Sequence, residues 1–211
     1  MKGSLQCPAL MACFTLALTY SLPAAESAER ATATKEKIQA LRSESAKTRN
    51  QITLTLEELS RLNVKGVDLR PQFEKFKAEL RKMQDEAKVA SERAQAMRSK
   101  GTASFQAWEM EVQTINNPEI RQEAQKRYER RKKSYQKILS AMEEAREELV
   151  PFMSDLNDIN KLLESELTET SVASTKGTIR QANWHGEDVR ESLTDVEKEL
   201  DRVSAELAKY K

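Results

Sequence analysis

His185 is the only histidine in the chain, so it is the first residue to consider for chemistry. A zinc or catalytic metal site needs two or three further ligands that converge on one point. Glu187 and Asp188 lie close to His185 in sequence, but immediate neighbours on a helix point in different directions. We therefore predict a solvated surface histidine and no metal site.

Carboxylates are numerous, with 34 Asp and Glu residues among 211. Glycoside hydrolysis needs two of them facing each other across a cleft. Here they alternate with Lys and Arg at helical spacing, which is typical of a solvated helix face. The sequence also has no Gly-rich phosphate loop, no Gly-x-Ser-x-Gly motif and no Glu-x-x-His motif of a carboxylate-bridged metal pair. We predict no enzymatic activity, no catalytic residue, no cofactor and no small-molecule substrate.

The strongest local charge feature is the basic run of residues 126–133, Lys-Arg-Tyr-Glu-Arg-Arg-Lys-Lys. One interpretation is a contact surface for phospholipid headgroups, an acidic polymer or an acidic partner. The other is intramolecular neutralisation by the acidic residues of 187–201 and by Glu206 on the following helix. A chain reversal near residue 169 would place about residues 205–211 opposite the run. Lys209 and Lys211 would leave that neutralisation incomplete. The candidate contact residues are Arg127, Arg130, Arg131, Lys132 and Lys133.

Two tryptophans are candidate anchors for a partner. Trp108 has the spacing of an inward-facing residue, and we predict that it lies in the core. Trp184 falls outside the inward spacing of its segment, beside the small residue Gly186, and is the stronger candidate.

These side chains must be positioned by helices. The composition is 33% charged and 38% hydrophobic, with five Gly and five Pro. Few Gly and Pro residues indicate few turns, and the most frequent residues are those that lose least on entering a helix. This composition is typical of long helices or a coiled coil.

Apolar residues recur at alternating spacings of three and four, and interruptions of this pattern divide the chain. Gly66 precedes a new helix with Pro71 in its first turn, Lys100-Gly101-Thr102 breaks the pattern, and Pro118 marks a turn. Pro151 leaves the phase unchanged, so it indicates a kink and not a reversal. The phase resets over residues 166–171. The predicted helices are residues 33–62, 71–99, 104–115, 119–166 and 171–210.

Such amphipathic helices must bury their apolar stripes against one another. Antiparallel packing within one chain is the simplest solution. We therefore predict an all-α fold, an elongated antiparallel helical bundle or coiled coil of four to five helices, with residues 29–211 as a single domain.

The N-terminal segment differs from the rest. Lys2 is followed by an apolar stretch over residues 9–22 and by small residues suited to signal-peptidase cleavage. This pattern predicts a secretory signal peptide over residues 1–25, because the stretch is too short for a membrane span. An uncleaved anchor and lipidation of Cys13 are the alternatives.

Removal of the signal peptide would also remove both cysteines, Cys7 and Cys13. The mature protein would then have no disulfide, no thiolate ligand and no cysteine nucleophile. Its formal net charge would fall from +1 to about zero, since Lys2 is the only charge removed. A nucleic-acid-binding protein should show a marked basic excess, so we expect no nucleic-acid partner.

Several short motifs lie between about residues 67 and 207. They are residues 105–109 (Phe-Gln-Ala-Trp-Glu), 127–128 (Arg-Tyr), 142–145 (Met-Glu-Glu-Ala), 149–152 (Leu-Val-Pro-Phe) with Asp155, 162–163 (Leu-Leu) and 171–173 (Ser-Val-Ala). Their order and spacing resemble one bacterial family, the domain of unknown function 2959. The resemblance implies an exported helical envelope protein and brings no known activity or binding residues. Members of the family tend to look like lipoproteins, often with Lys-His-Asn-Leu-Asn after the proline segment, where this chain has residues 160–164, Asn-Lys-Leu-Leu-Glu, so membrane anchoring stays open.

Taken together, these features predict an exported coiled-coil protein, a non-catalytic scaffold or adaptor of the periplasm or cell envelope. Its partner would be an envelope protein or a second copy of itself. The alternative function is a peripheral module that binds an anionic membrane surface or polymer through residues 126–133.

Overall fold

The computed structural model describes residues 24–63, 66 and 68–208. Most of the predicted signal peptide, including both cysteines, lies outside the described residues. The described chain forms five helices: α1 (Ala24–Arg61), α2 (Leu69–Thr114), α3 (Pro118–Ser165), α4 (Glu169–Ser174) and α5 (Lys176–Ala208). The predicted all-α helical bundle is confirmed.

The helix boundaries follow local chemistry. Gly66 adopts a φ of 75° in the turn before α2, a backbone conformation that glycine reaches without a steric penalty. Asp68 caps α2 by accepting a hydrogen bond from the Arg70 amide. Asn117 caps α3 by accepting bonds from the amides of Glu119 and Ile120. Pro118 then occupies the first turn, where its missing N–H costs nothing.

The four long helices form a closed antiparallel bundle in which α1 packs on α2, α2 on α3, α3 on α5, and α5 on α1. Side-chain contacts between α1 and α5 show the antiparallel direction, because Arg42 pairs with Asp201 whereas Ser45 bonds to Leu193. At 1.5 Å per residue, the 46 residues of α2 and 48 of α3 make rods of about 70 Å.

The interior contains two hydrophobic clusters. The first core occupies the end where α1 and α3 finish, and it includes the fully buried Ile52, Phe76 and Phe152. The second core lies toward the α2–α3 turn and includes Phe105 and Tyr128. Burying apolar side chains at about 25 cal/mol per Å² is the main force that holds such helices together.

The inward stripe of α1 contains hydroxyl and amide side chains, and the structure buries them at the positions that their spacing indicates. Thr55 is fully buried and donates a hydrogen bond to the Gln51 carbonyl oxygen. The Gln51 amide donates to the Glu79 carboxylate and to the Glu79 carbonyl of α2. These bonds satisfy polar groups that would otherwise be costly to bury.

The predicted break at residues 100–102 is wrong, because α2 is continuous from Leu69 to Thr114. The predicted helices 71–99 and 104–115 are therefore one helix. Gly101 is buried against the ring of Tyr135 on α3, and the Tyr135 hydroxyl donates to the Met97 carbonyl oxygen at 2.8 Å. This glycine provides space for a neighbouring side chain and does not end the helix.

Two other boundaries differ from prediction. Helix α1 begins at Ala24 and not at residue 33, because residues 24–34 are mostly helix-favouring residues without Gly or Pro. The predicted helix 171–210 is divided into α4 and α5 at Thr175. The Thr175 hydroxyl and amide both donate to the Val172 carbonyl oxygen. In a regular α-helix this oxygen would instead accept the hydrogen bond from the amide four residues later.

The prediction for Pro151 is confirmed in its main point, because α3 continues through this residue to Ser165 without a chain reversal. The neighbouring Phe152 is fully buried and Val150 is exposed, so the inward stripe keeps its phase across the proline.

Gly101 and Gly177 offer a matched test of this packing. A Cβ on Gly101 would overlap with the Tyr135 ring, whereas a Cβ on Gly177 would meet no atom within 4 Å. We expect Gly101→Ala to lower the free energy of unfolding by about 2 kcal/mol through overpacking. Gly177→Ala should raise it by about 0.5 kcal/mol through higher helix propensity. Urea denaturation followed by circular dichroism measures both values, and equal effects of the two substitutions would contradict this role of Gly101.

Candidate functional site

The basic run lies on α3 in the half of the bundle that contains the second core, and helical geometry divides its residues into two groups. Arg127, Arg130 and Lys133 are exposed. Arg127 and Arg130 share one carboxylate, that of Glu123, at 3.5 and 3.9 Å. Lys126 is also exposed, and it lies on the same outer face as Arg130 and Lys133 by helical spacing.

Lys132 and Arg131 belong to the second group, because both are half-buried. The Lys132 ammonium donates to the Tyr128 hydroxyl at 2.9 Å and lies 5.1 Å from the Tyr128 ring centre. The hydrogen bond to Tyr128 is the main cause of a raised Lys132 pKa. Lys132 is therefore turned toward Tyr128, and Arg131 is only partly accessible, so the candidate contact set is reduced to the exposed residues.

Four aromatic rings support this part of the bundle. Phe105 of α2 contacts Tyr128 and Tyr135 of α3, with ring centres 6.0 and 5.1 Å apart. Trp108 stacks on Phe105 and meets Tyr128 edge-on at 5.5 Å. Trp108 packs against the second core, as predicted, although it is only partly buried. Burial also raises the pKa of Tyr135, since its phenolate form would lose solvation.

His185 differs from the predicted solvated histidine. Its ring is half-buried, and its Nδ1 lies 2.8 Å from Oδ2 of Asp155 on α3. In this pair the carboxylate oxygen accepts and Nδ1–H donates. The sequence alone does not reveal this pair, because its two residues are 30 positions apart and meet only through the register between α3 and α5.

Trp184 is 76% exposed on α5, one residue before His185. The adjacent Gly186 is buried, and a Cβ on it would lie 2.8 Å from Cδ1 of Leu56 and 3.1 Å from Cε2 of Phe152. The tryptophan therefore points outward from a closely packed segment of helix. It lines a shallow depression together with Gly177, Thr178, Arg180 and Gln181.

Charged side chains also link neighbouring helices. Glu143 of α3 pairs with Arg146 and with Arg98 of α2, and both arginines lower its pKa, Arg146 being the larger cause. The pKa of Glu79 is lowered chiefly by Lys82 and next by Gln51. The cations of these pairs, Lys82, Arg98 and Arg146, are exposed, and ion pairs of exposed side chains contribute little to stability individually.

Within the described part of the chain, no group of three or more His, Cys, Asp and Glu residues could hold a metal ion. None of the described helices combines the length and the apolar character needed to cross a bilayer.

The geometry defines a class of protein, an antiparallel bundle of four long helices with charged outer faces. Comparison with known families places the chain more closely: it belongs to the family described as Protein of unknown function (DUF2959), whose model matches residues 27–208. The resemblance noted in the sequence is thereby confirmed. No curated protein and no solved structure matches the chain.

The His185–Asp155 pair can be tested with a double-mutant cycle. We expect His185→Ala and Asp155→Ala to destabilise the bundle and to show a coupling energy of about 1 kcal/mol, the usual net value of one hydrogen bond. Asp158→Ala is the matched control, because Asp158 is exposed and pairs with Lys161 on its own helix. A coupling energy between His185 and Asp155 no larger than that between His185 and Asp158 would contradict the pair.

Proposed function

We propose that this protein is a non-catalytic scaffold or adaptor that is exported to the cell envelope. The four long helices use their apolar stripes on one another, so the bundle offers a partner its outer faces. The family is described as one of unknown function, so membership assigns no activity. Export rests on the predicted signal peptide over residues 1–25.

The observation that carries the adaptor proposal is the exposure of Trp184. A tryptophan that is 76% exposed contributes little to folding, whereas tryptophan is among the residues most enriched at the energetic centres of protein interfaces. Small and polar neighbours, Gly177, Thr178 and Gln181, leave its ring accessible. A partner that covers the ring would gain apolar burial without any change in the bundle.

Site-specific crosslinking in the cell tests this docking surface. A photoreactive residue at Gln181, which is exposed beside Trp184, should capture a defined envelope protein or a second copy of this chain. Trp184→Ala should reduce that product at least tenfold, as expected for an interface anchor worth about 1.4 kcal/mol or more. Mass spectrometry of the product identifies the partner.

Two controls complete this experiment. Met110 is exposed on α2, so Met110→Ala removes a large apolar side chain elsewhere and should leave the product unchanged. Cell fractionation should find the protein with the envelope. Recovery of the mature protein from the cytoplasm, or a product that does not depend on Trp184, would refute the proposal.

A second candidate function is binding to an anionic membrane surface through the outer face of α3. It is favoured by the exposure of Lys126, Arg127, Arg130 and Lys133, because Arg127 and Arg130 share the single carboxylate of Glu123. Each basic residue near an anionic surface contributes about 1 kcal/mol.

Vesicle cosedimentation tests this second candidate. The triple substitution of Lys126, Arg130 and Lys133 by Glu should lower binding to vesicles containing phosphatidylglycerol by at least tenfold at low salt. The same charge change at Lys75, Lys88 and Lys176, which are exposed elsewhere on the bundle, is the matched control. Equal loss in both variants would indicate a net-charge effect and not this surface.

A further inference from the structure

A cavity of about 100 Å³ lies between the two cores. It is found in the part of the bundle where the inward-facing residues of α2 are small. All four long helices contribute to its wall. On α2 the wall consists of Ala87, Ala90, Ser91, Arg93 and Ala94, whereas the other helices contribute mainly large apolar side chains. Among these are Leu41, Ile138, Met142, Leu149, Leu193 and Leu200.

The buried polar groups in this wall are already satisfied. The Ser45 hydroxyl donates to the Leu193 carbonyl oxygen, and the Thr48 hydroxyl donates to the Glu44 carbonyl oxygen. A cavity holds ordered water only where several polar groups need partners, and apolar cavities of similar size stay dry and accept apolar molecules. The interior of this cavity therefore suits hydrocarbon better than water.

The cavity is not closed off from the surface. Ala87, Ala90 and Ala94 lie on the inward stripe of α2 and yet are only half-buried. Two exposed cations, Arg93 and Arg146, also line the cavity, and Glu44 is the one carboxylate among its lining residues in the described chain. Arg93 pairs with Glu44, and Arg146 pairs with Glu143.

From this arrangement we propose a ligand site for a single-chain anionic amphiphile. The end of the alkyl chain occupies the cavity, and the carboxylate or phosphate lies at the surface near Arg146 and Arg93. A fatty acid and a lysophospholipid share this chemistry. The site is separate from the proposed docking surface, because neither Trp184 nor its neighbours line the cavity.

Calorimetric titration with fatty acids below their critical micelle concentration tests the site. Affinity should rise about fourfold for each added methylene from hexanoate to octanoate, which corresponds to about 0.8 kcal/mol per buried methylene. Ala90→Leu places a side chain in the cavity and should lower octanoate affinity at least tenfold. Ala96→Leu, on the exposed face of the same helix, is the matched control and should bind as the wild type does.

The charge requirement is tested separately. Arg146→Gln should weaken octanoate binding several-fold and leave octanol binding unchanged, because only the anionic head loses a partner. Competition by a short-chain lysophosphatidylglycerol would support a lipid source, and binding of octanoate alone would support a free fatty acid.

Folding of the variants is checked by thermal denaturation. Ala90→Leu should keep or raise the melting temperature, since it fills a void, and Ala94→Val provides a smaller filling substitution if leucine overpacks the site. Octanoate affinity that is undetectable in the wild type, independent of chain length, or equal in the wild type and a folded filling variant would overturn the proposal. None of these results would change the crosslinking expected at Gln181, so the ligand site and the docking surface at Trp184 are tested independently.

Discussion

The structure depends on one constraint, the burial of a continuous apolar stripe on each long helix. Isolated helices of this composition gain little from their backbone hydrogen bonds, so they persist because each stripe is removed from water by its neighbours. The fully buried Ile52, Phe76 and Phe152 come from three different helices and meet in one core. Packing within this shared core fixes the register of the bundle, and the register then decides which polar side chains face one another.

Most of the fold could be predicted from periodicity because burial is periodic. The unchanged phase at Pro151 correctly predicted a continuous α3, and the phase reset after residue 165 correctly located the chain reversal. Gly101 was misinterpreted for a physical reason. Glycine is favoured both at helix ends and where a neighbouring group needs space, and only the position of Tyr135 on another helix distinguishes these two roles.

The candidate sites were less predictable than the fold, because they depend on where each side chain points and on partners that are distant in the sequence. The basic run is visible in the sequence as a charge cluster, but the cluster alone does not separate the half-buried Arg131 and Lys132 from their exposed neighbours. The Asp155 partner of His185 could be found only after α3 and α5 were aligned. Trp184 was the exception, since its departure from the inward spacing already indicated an exposed side chain, and the structure agrees.

The alanine-rich middle of α2 matters both for the stability of the bundle and for the proposed ligand site. A bundle with one continuous core would lose stability if its middle level were poorly filled, because a void forfeits packing contacts. Here the large residues are concentrated in a core on each side, with Phe76 and Met83 in one and Met97 and Phe105 in the other. Each core holds all four helices together at its own level. The middle of the bundle is therefore free to remain underfilled, which is the condition that an internal binding site requires.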